Sequence, residues 1–243
     1  MKYMGSKARI AKHILPIILK NRKDGQCYVE PFVGGANMID KVDGWRIGAD
    51  SNYWLIKALR LIQSGDIPAD NFEFTEKDYD KCTHHVRGNT DTVGYCDGLI
   101  GYALIAFSFG AKWCGGWSRG KNSKGDDRDY VAEQYRASIR QRSLLDGTKF
   151  YNKSYDILDI PRCSIIYCDP PYAGTTKYKD NFDHESFWQW CREKVKEGHE
   201  VFISEYSAPD DFVCVWQKEI QSGLNTNTTK KGVEKLFVHK SQA

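Results

Sequence analysis

Apolar residues along this chain fall in short blocks whose spacing switches between the helical and the extended period. Over 6–20, Ile10, Ile14, Ile17 and Ile18 share one helical face, with Ser6 as N-cap and Pro16 marking a kink or an early end. Cys27-Tyr28-Val29 predicts a short strand, 30–36 a turn, and 37–42 a helix. A second strand over 45–49 ends at Asp50-Ser51-Asn52, and a second helix covers 53–63. This β-turn-α-β-α opening predicts an α/β fold with a doubly wound sheet.

Strand signals then fade. Helical patterns occupy 75–86, 93–107 and 129–145, and 108–127 is rich in glycine, aromatics and cations. The α/β rhythm returns with Lys149-Phe150-Tyr151, a strand over 164–168, a helix around 184–196 and a strand over 200–204. Segments 213–218 and 235–239 predict a closing hairpin. The expected organisation is a discontinuous sheet domain, 1–64 and 148–243, interrupted by a mainly helical insertion over 65–147.

Composition adds limits. A chain of 243 residues can hold one large α/β domain with an inserted lobe. A net charge of +3 neither demands nor excludes a nucleic-acid partner; the local distribution of charge matters more. The most apolar stretch, 99–109, is too short to span a bilayer, and Lys12 and His13 break the N-terminal apolar run where a signal peptide would need it continuous. The expectation is a cytoplasmic protein. The eight cysteines include no CxxC pair, and no disulfide framework is expected. Cys82-Thr83-His84-His85, with Cys96 and Cys114 downstream, fits no common finger spacing, so no metal is expected.

Chemistry concentrates at Asp169-Pro170-Pro171-Tyr172, directly after the apolar run Ser164-Ile165-Ile166-Tyr167-Cys168. The prolines fix φ and remove backbone donors, so the Asp169 and Pro170 carbonyls can point outward unpaired. Tyr172 offers a flat face. Such an edge suits holding a planar base by an exocyclic amino group; the plainer reading is a rigid strand-end turn. Upstream, Gly34 and Gly35 follow the first strand, where a Rossmann-like domain admits a cofactor, but no G-x-G-x-x-G run is present for a dinucleotide. Asp50 can accept from ribose hydroxyls or cap the helix after it. Lys7 can meet a carboxylate and Tyr3 can pack on a ligand, or both belong to a solvated helix cap. Lys112, Arg119, Lys121, Lys124 and Arg128, interleaved with aromatics and glycines, can meet phosphates or guanine edges; the alternative is a solvated loop.

Taken in order, Tyr3-Met4-Gly5-Ser6-Lys7, Val29-Glu30-Pro31-Phe32-Val33-Gly34-Gly35, Ala49-Asp50-Ser51-Asn52 and Asp169-Pro170-Pro171-Tyr172 resemble the Dam-type DNA adenine-N6 methyltransferases. The resemblance runs over 2–239. It implies a Rossmann-like class I methyltransferase sheet with an antiparallel last strand and S-adenosylmethionine as donor. It also implies double-stranded DNA as partner, with no membrane and no obligate protein partner. The implied cofactor residues are Tyr3, Lys7, Glu30, Pro31, Phe32, Gly34, Gly35, Asp50, Ser51, Asn52, Asp156 and Asp169. Asp169, Pro170, Pro171 and Tyr172 take the catalytic role, and 65–147 that of target recognition. Lys112, Trp113, Arg119 and Lys121, with Lys177 and Tyr178 after the catalytic motif, are the implied DNA contacts. Ala36 stands where many relatives have glycine, and Ser204-Glu205-Tyr206 departs from the run found in some relatives and receives no role. A cytosine-N4 or RNA adenine methyltransferase, or a non-catalytic nucleic-acid-binding regulator, remain the alternatives.

Overall fold

A computed structural model describes residues 1–69, 71–89, 93–172, 182–221 and 231–243. Lys177 and Tyr178 lie outside the described residues. Among the described residues seven strands form one sheet: β1 (Tyr28–Glu30), β2 (Arg46–Asp50), β3 (Thr148–Asn152), β4 (Ile165–Cys168), β5 (Glu200–Glu205), β6 (Phe212–Gln221) and β7 (Lys231–His239). Their order is β3-β2-β1-β4-β5-β7-β6. The first five pair in parallel, whereas β7 inserts antiparallel between β5 and β6. Helices cover both faces, so the central strands read as unbroken apolar runs: every residue of β1 and β4 is buried.

The first helix, α1 (Ala11–Ile18), begins after a single 3-10 turn over Lys7–Arg9 and carries Pro16 in its last turn. Proline donates no N–H and crowds the preceding turn, and the helix stops shortly after it. α2 (Tyr53–Ser64) is capped by Asn52, whose side chain accepts from the Leu55 N–H, and closes at Gly65 with φ of 85°. Asn52 takes the capping role that Asp50 could have filled.

The helix expected over 37–42 reduces to one 3-10 turn, Ile39–Lys41. The cause lies in its entry. Ala36 sits at φ of 57°, and the Gln141 amide donates to both the Gly35 and Ala36 carbonyls at 3.1 Å. A left-handed residue and diverted carbonyls prevent a regular helical ladder from starting there.

The intervening segment folds as α3 (Glu76–Val86), α4 (Asp97–Ala106) and α5 (Tyr130–Arg142). α4 is shorter than its apolar pattern and is buried on all sides. It shares a core with α2: Ile100, Ala103 and Leu104 lie in one cluster with Leu55, Leu59 and Ile62. The remaining helix, α6 (His184–Lys196), covers the opposite face with Phe187, Trp188, Trp190 and Cys191. All eight cysteines are free thiols. Among the described residues no helix is long and apolar enough to cross a membrane.

Helices α2 and α4 touch through glycine. A Cβ placed on Gly101 would stand 2.1 Å from the Trp54 carbonyl oxygen, a backbone atom that cannot swing aside. Gly101→Ala must therefore push the helices apart, at a cost above about 3 kcal/mol. Urea unfolding should show a large drop in midpoint at unchanged slope; a drop equivalent to less than about 1 kcal/mol would show that the helices separate freely.

Candidate active site

The carboxyl edge of the parallel strands gathers the polar residues that the core excludes. β4 delivers Asp169, and the 3-10 turn at 7–9 delivers Lys7 from the other end of the sequence. Ser6 fixes that turn by accepting from the Ala8 N–H at 3.3 Å. Lys7 is 8% exposed, and its Nζ lies 3.1 Å from Asp169 Oδ1 and 3.6 Å from Glu234 Oε2. It also donates to the Gly5 carbonyl at 3.3 Å. The approach to Asp169 is off the line of a well-directed hydrogen bond, so Oδ1 is a buried oxygen held by charge but lacking an aligned donor.

Tyr172 closes this group. Its hydroxyl donates to Glu234 Oε2 at 2.8 Å, and the Lys7 ammonium stands 4.4 Å from its ring centroid. Tyr206 packs edge-on to it, with centroids 4.6 Å apart and planes at 80°. One aromatic ring is therefore fixed by a hydrogen bond, a cation and a neighbouring ring. Deeper in the sheet, Tyr167 and Ser204 share a hydrogen bond at 2.8 Å, and the Tyr28 hydroxyl donates to Glu30 at 2.9 Å.

Electrostatics follow from burial. Burial pushes Asp169 up to about 6, even against the Lys7 ammonium beside it. Glu30, buried and facing Asp40 and Asp169, is held well above the usual carboxylate range. Burial alone would lower Lys7, but Asp169 and Glu234 outweigh it, and the ammonium is held above its ordinary value.

A second group lies around the glycine turn. The Val33 N–H donates to the Ala49 carbonyl at 2.8 Å, which brings the turn against the end of β2. Asp50 Oδ2 accepts from the Gly34 N–H at 3.3 Å and Oδ1 from the Asn52 N–H at 2.9 Å. Burial raises this carboxyl too, to about 6. Each oxygen retains a lone pair, so the group can still accept from a ligand's hydroxyls. Gly34 has φ of 48°, and a Cβ there would meet the Tyr3 ring at 3.1 Å; one on Gly35 would meet Tyr3 Cβ at 2.6 Å and the Met1 carbonyl at 2.8 Å. Both glycines thus make room for the chain's own N-terminal segment.

The structure brings Tyr3, Lys7, Glu30, Gly34, Gly35, Asp50, Asn52, Asp169 and Tyr172 to this edge, with Pro31 and Pro170 buried beside them. Phe32 stacks on Tyr155 at 5.3 Å and meets Phe187 edge-on at 5.7 Å, so it is part of an aromatic cluster. Asp156 is exposed next to Tyr155, and Ser51 is exposed at the end of β2. In the insertion, Lys112 and Trp113 are half-buried, while Arg119 pairs with Glu76 at 2.5 Å and Lys121 with Asp127 at 3.1 Å. Glu234 and Tyr206 escaped the sequence reading. A glutamate in a strand carries no local signal, and only the register, with Glu205 opposite Lys235, carries Glu234 to the carboxyl edge.

A seven-stranded sheet with an antiparallel insertion near its edge, and a charged cluster at the strands' carboxyl ends, is a Rossmann-like methyltransferase fold. Residues 3–97 match the family model of D12 class N6 adenine-specific DNA methyltransferases. The match covers less than half of the chain, and over those residues the chain is similar to that family of DNA adenine methyltransferases. The matched stretch holds Lys7, the glycine turn and Asp50 and ends before Asp169. No curated protein matches the chain.

The raised carboxyls make stability depend on pH. Asp169 titrates near 6 in the fold, against 3.8 for the ordinary side chain. Between these values the folded state binds the extra proton, so stability falls as pH rises through this window. A shift of this size corresponds to on the order of 3 kcal/mol. Asp169 keeps 21% of its side-chain surface exposed, and solvent screening trims that figure. Asp169→Asn should therefore raise Tm by a few degrees at pH 7.5 and by almost nothing near pH 4, measured by scanning calorimetry. A lower Tm at pH 7.5 would mean that the Lys7 pair outweighs the burial of the charge.

Proposed function

We propose that the enzyme transfers a methyl group from S-adenosylmethionine to the exocyclic amine of an adenine flipped out of duplex DNA at a specific site. The observation that carries this reading is the buried Asp169 carboxylate, with an oxygen lacking an aligned donor, at the same sheet edge as the Gly34–Asp50 turn. The residues fit the donor. Asp50 offers lone pairs to ribose hydroxyls, and a cationic guest beside Asp50 and Asp169 would favour their charged forms. When bound, S-adenosylmethionine supplies a methyl group on a positively charged sulfur.

The chain's own residues then do the rest. The adenine amino nitrogen is a poor nucleophile because its lone pair is delocalised into the ring. Asp169 and the Pro170 carbonyl accept its two hydrogens, which favours a pyramidal nitrogen with its lone pair free. Alignment and electrostatic placement provide the rate gain. Transfer forms the N–CH3 bond as the S–CH3 bond breaks, and the nitrogen's proton leaves to Asp169 or water. Tyr172 stacks on the flipped base in this reading, offsetting the few kcal/mol of unstacking.

Incubating the protein with labelled S-adenosylmethionine and diverse duplex DNA should give N6-methyladenine within a short motif. Asp169→Ala should abolish it. Labelling of RNA alone, or methylation of cytosine N4, would overturn the assignment. Because the carboxylate form is the acceptor, kcat/KM should fall as pH drops through about 6.

The segment 65–147 acts in target recognition in this reading, with Lys112, Trp113, Arg119 and Lys121 toward the DNA. Arg119 is engaged with Glu76 in the free protein, so DNA must compete for it. Arg119→Ala should weaken DNA binding and reduce the slope of log K against log salt by about one. Glu76→Ala should instead strengthen binding at low salt. Unchanged affinity in both variants would remove Arg119 from the interface.

A further inference from the structure

Lys7 lies between two carboxylates on separate elements, and only Asp169 has a part in the proposed chemistry. We propose that Glu234 is a positioning residue: it holds Lys7 while Asp169 takes up the adenine amino group, and it fixes the Tyr172 ring through its hydroxyl. This rests on the adenine methyl-transfer reading above.

The argument begins with competition. In the free protein Lys7 Nζ is 3.1 Å from Asp169 Oδ1. An incoming amino group is a neutral donor and must displace a cation from that carboxylate, and charge-assisted contacts are the stronger kind. A buried ammonium left without a partner is strongly destabilising, because its charge is then uncompensated. Glu234 Oε2, 3.6 Å from Nζ, and the Gly5 carbonyl at 3.3 Å allow Lys7 to shift by a fraction of an ångström without losing compensation. The exchange then trades one carboxylate for another.

The same oxygen, Glu234 Oε2, accepts from the Tyr172 hydroxyl at 2.8 Å. Strand β7 carries Glu234, and Tyr206, after β5, packs at a steep angle to the Tyr172 ring with centroids 4.6 Å apart. Glu234 therefore links the cation that yields Asp169 to the ring on which the base rests. The charged and titratable groups around this position are Lys7 from the N-terminal turn, Asp169 and Tyr172 after β4, Tyr167 within β4, Glu30 from β1 and Tyr206 after β5.

The test compares Glu234→Gln with Lys7→Gln and the double variant. Three readouts are used: steady-state methylation, S-adenosylhomocysteine binding, and fluorescence of duplex DNA carrying 2-aminopurine at the methylated adenine. With Glu234 neutral, Lys7 stays on Asp169. Glu234→Gln should raise KM for DNA and reduce the 2-aminopurine signal about tenfold, with S-adenosylhomocysteine affinity within about twofold of wild type. The acid limb of kcat/KM should move to lower pH, because Glu234 is one of the charges that raise Asp169. The double variant should be no worse than Lys7→Gln alone, since a glutamine oxygen can still accept from the Tyr172 hydroxyl and the charge that is lost acts through Lys7. Additive losses, or an unmoved KM and acid limb, would overturn the proposal. A wild-type protein that leaves duplex DNA unmethylated would refute the methyl-transfer reading instead. In that event the Lys7 ammonium, titrated by NMR without DNA, still decides: Glu234→Gln must lower its pKa, and an unchanged titration refutes Glu234 as its anchor.

Discussion

A buried ammonium needs opposite charge close by, and that requirement shapes the working edge of this protein. Lys7 comes from the first turn of the chain, Asp169 from the end of β4 and Glu234 from β7, and they meet within a few ångströms. None would be tolerated there alone. Burial lifts Asp169 and would depress Lys7, and each makes the other's charged form bearable. The arrangement holds together the start of the chain, the centre of the sheet and its antiparallel strand. Tyr172 is fixed as a by-product of the same contacts.

The glycine turn obeys a steric constraint of a different sort. Gly34 and Gly35 are needed because Tyr3 and Met1 press against them, and Ala36 accepts a left-handed backbone to continue the path. The N-terminal segment is thereby packed between the turn, Gln141 of α5 and Ala111, whose carbonyl accepts from the Met4 N–H at 3.1 Å. Lys7 and Asp50 are consequently parts of one rigid edge: the turn whose N–H reaches Asp50 is the turn against which the Lys7 segment rests. Precision at such an edge matters because small misplacements of reacting groups cost large factors in rate.

Much of this was readable in the chain. Apolar runs such as Ile165-Ile166-Tyr167-Cys168 announce central parallel strands, since four residues bounded by Pro161 and Pro170 are too short for a buried helix such as α4. Asp169-Pro170-Pro171-Tyr172 and Lys7 could be named because their residue types are informative at a strand end and an N-terminal turn. Three features were not legible. The short turn at 39–41 depends on Gln141, about a hundred positions away, intercepting carbonyls that a helix would need. The shared core of α2 and α4 depends on where Gly101 faces. Glu234 depends on strand register, which local pattern does not encode. Each is a long-range contact made by a residue of ordinary local appearance.

The placement of β7 also sets an order of events during synthesis. It fills a slot between β5 and β6, although it leaves the ribosome after both. Until it arrives, β5 has an open edge and Lys7, made before either strand, has only half of its counter-charge. The charge cluster therefore stays incomplete while every element between Lys7 and β7 is made. The polar edge closes when the later strand docks and meets the earlier turn in a single ionic contact.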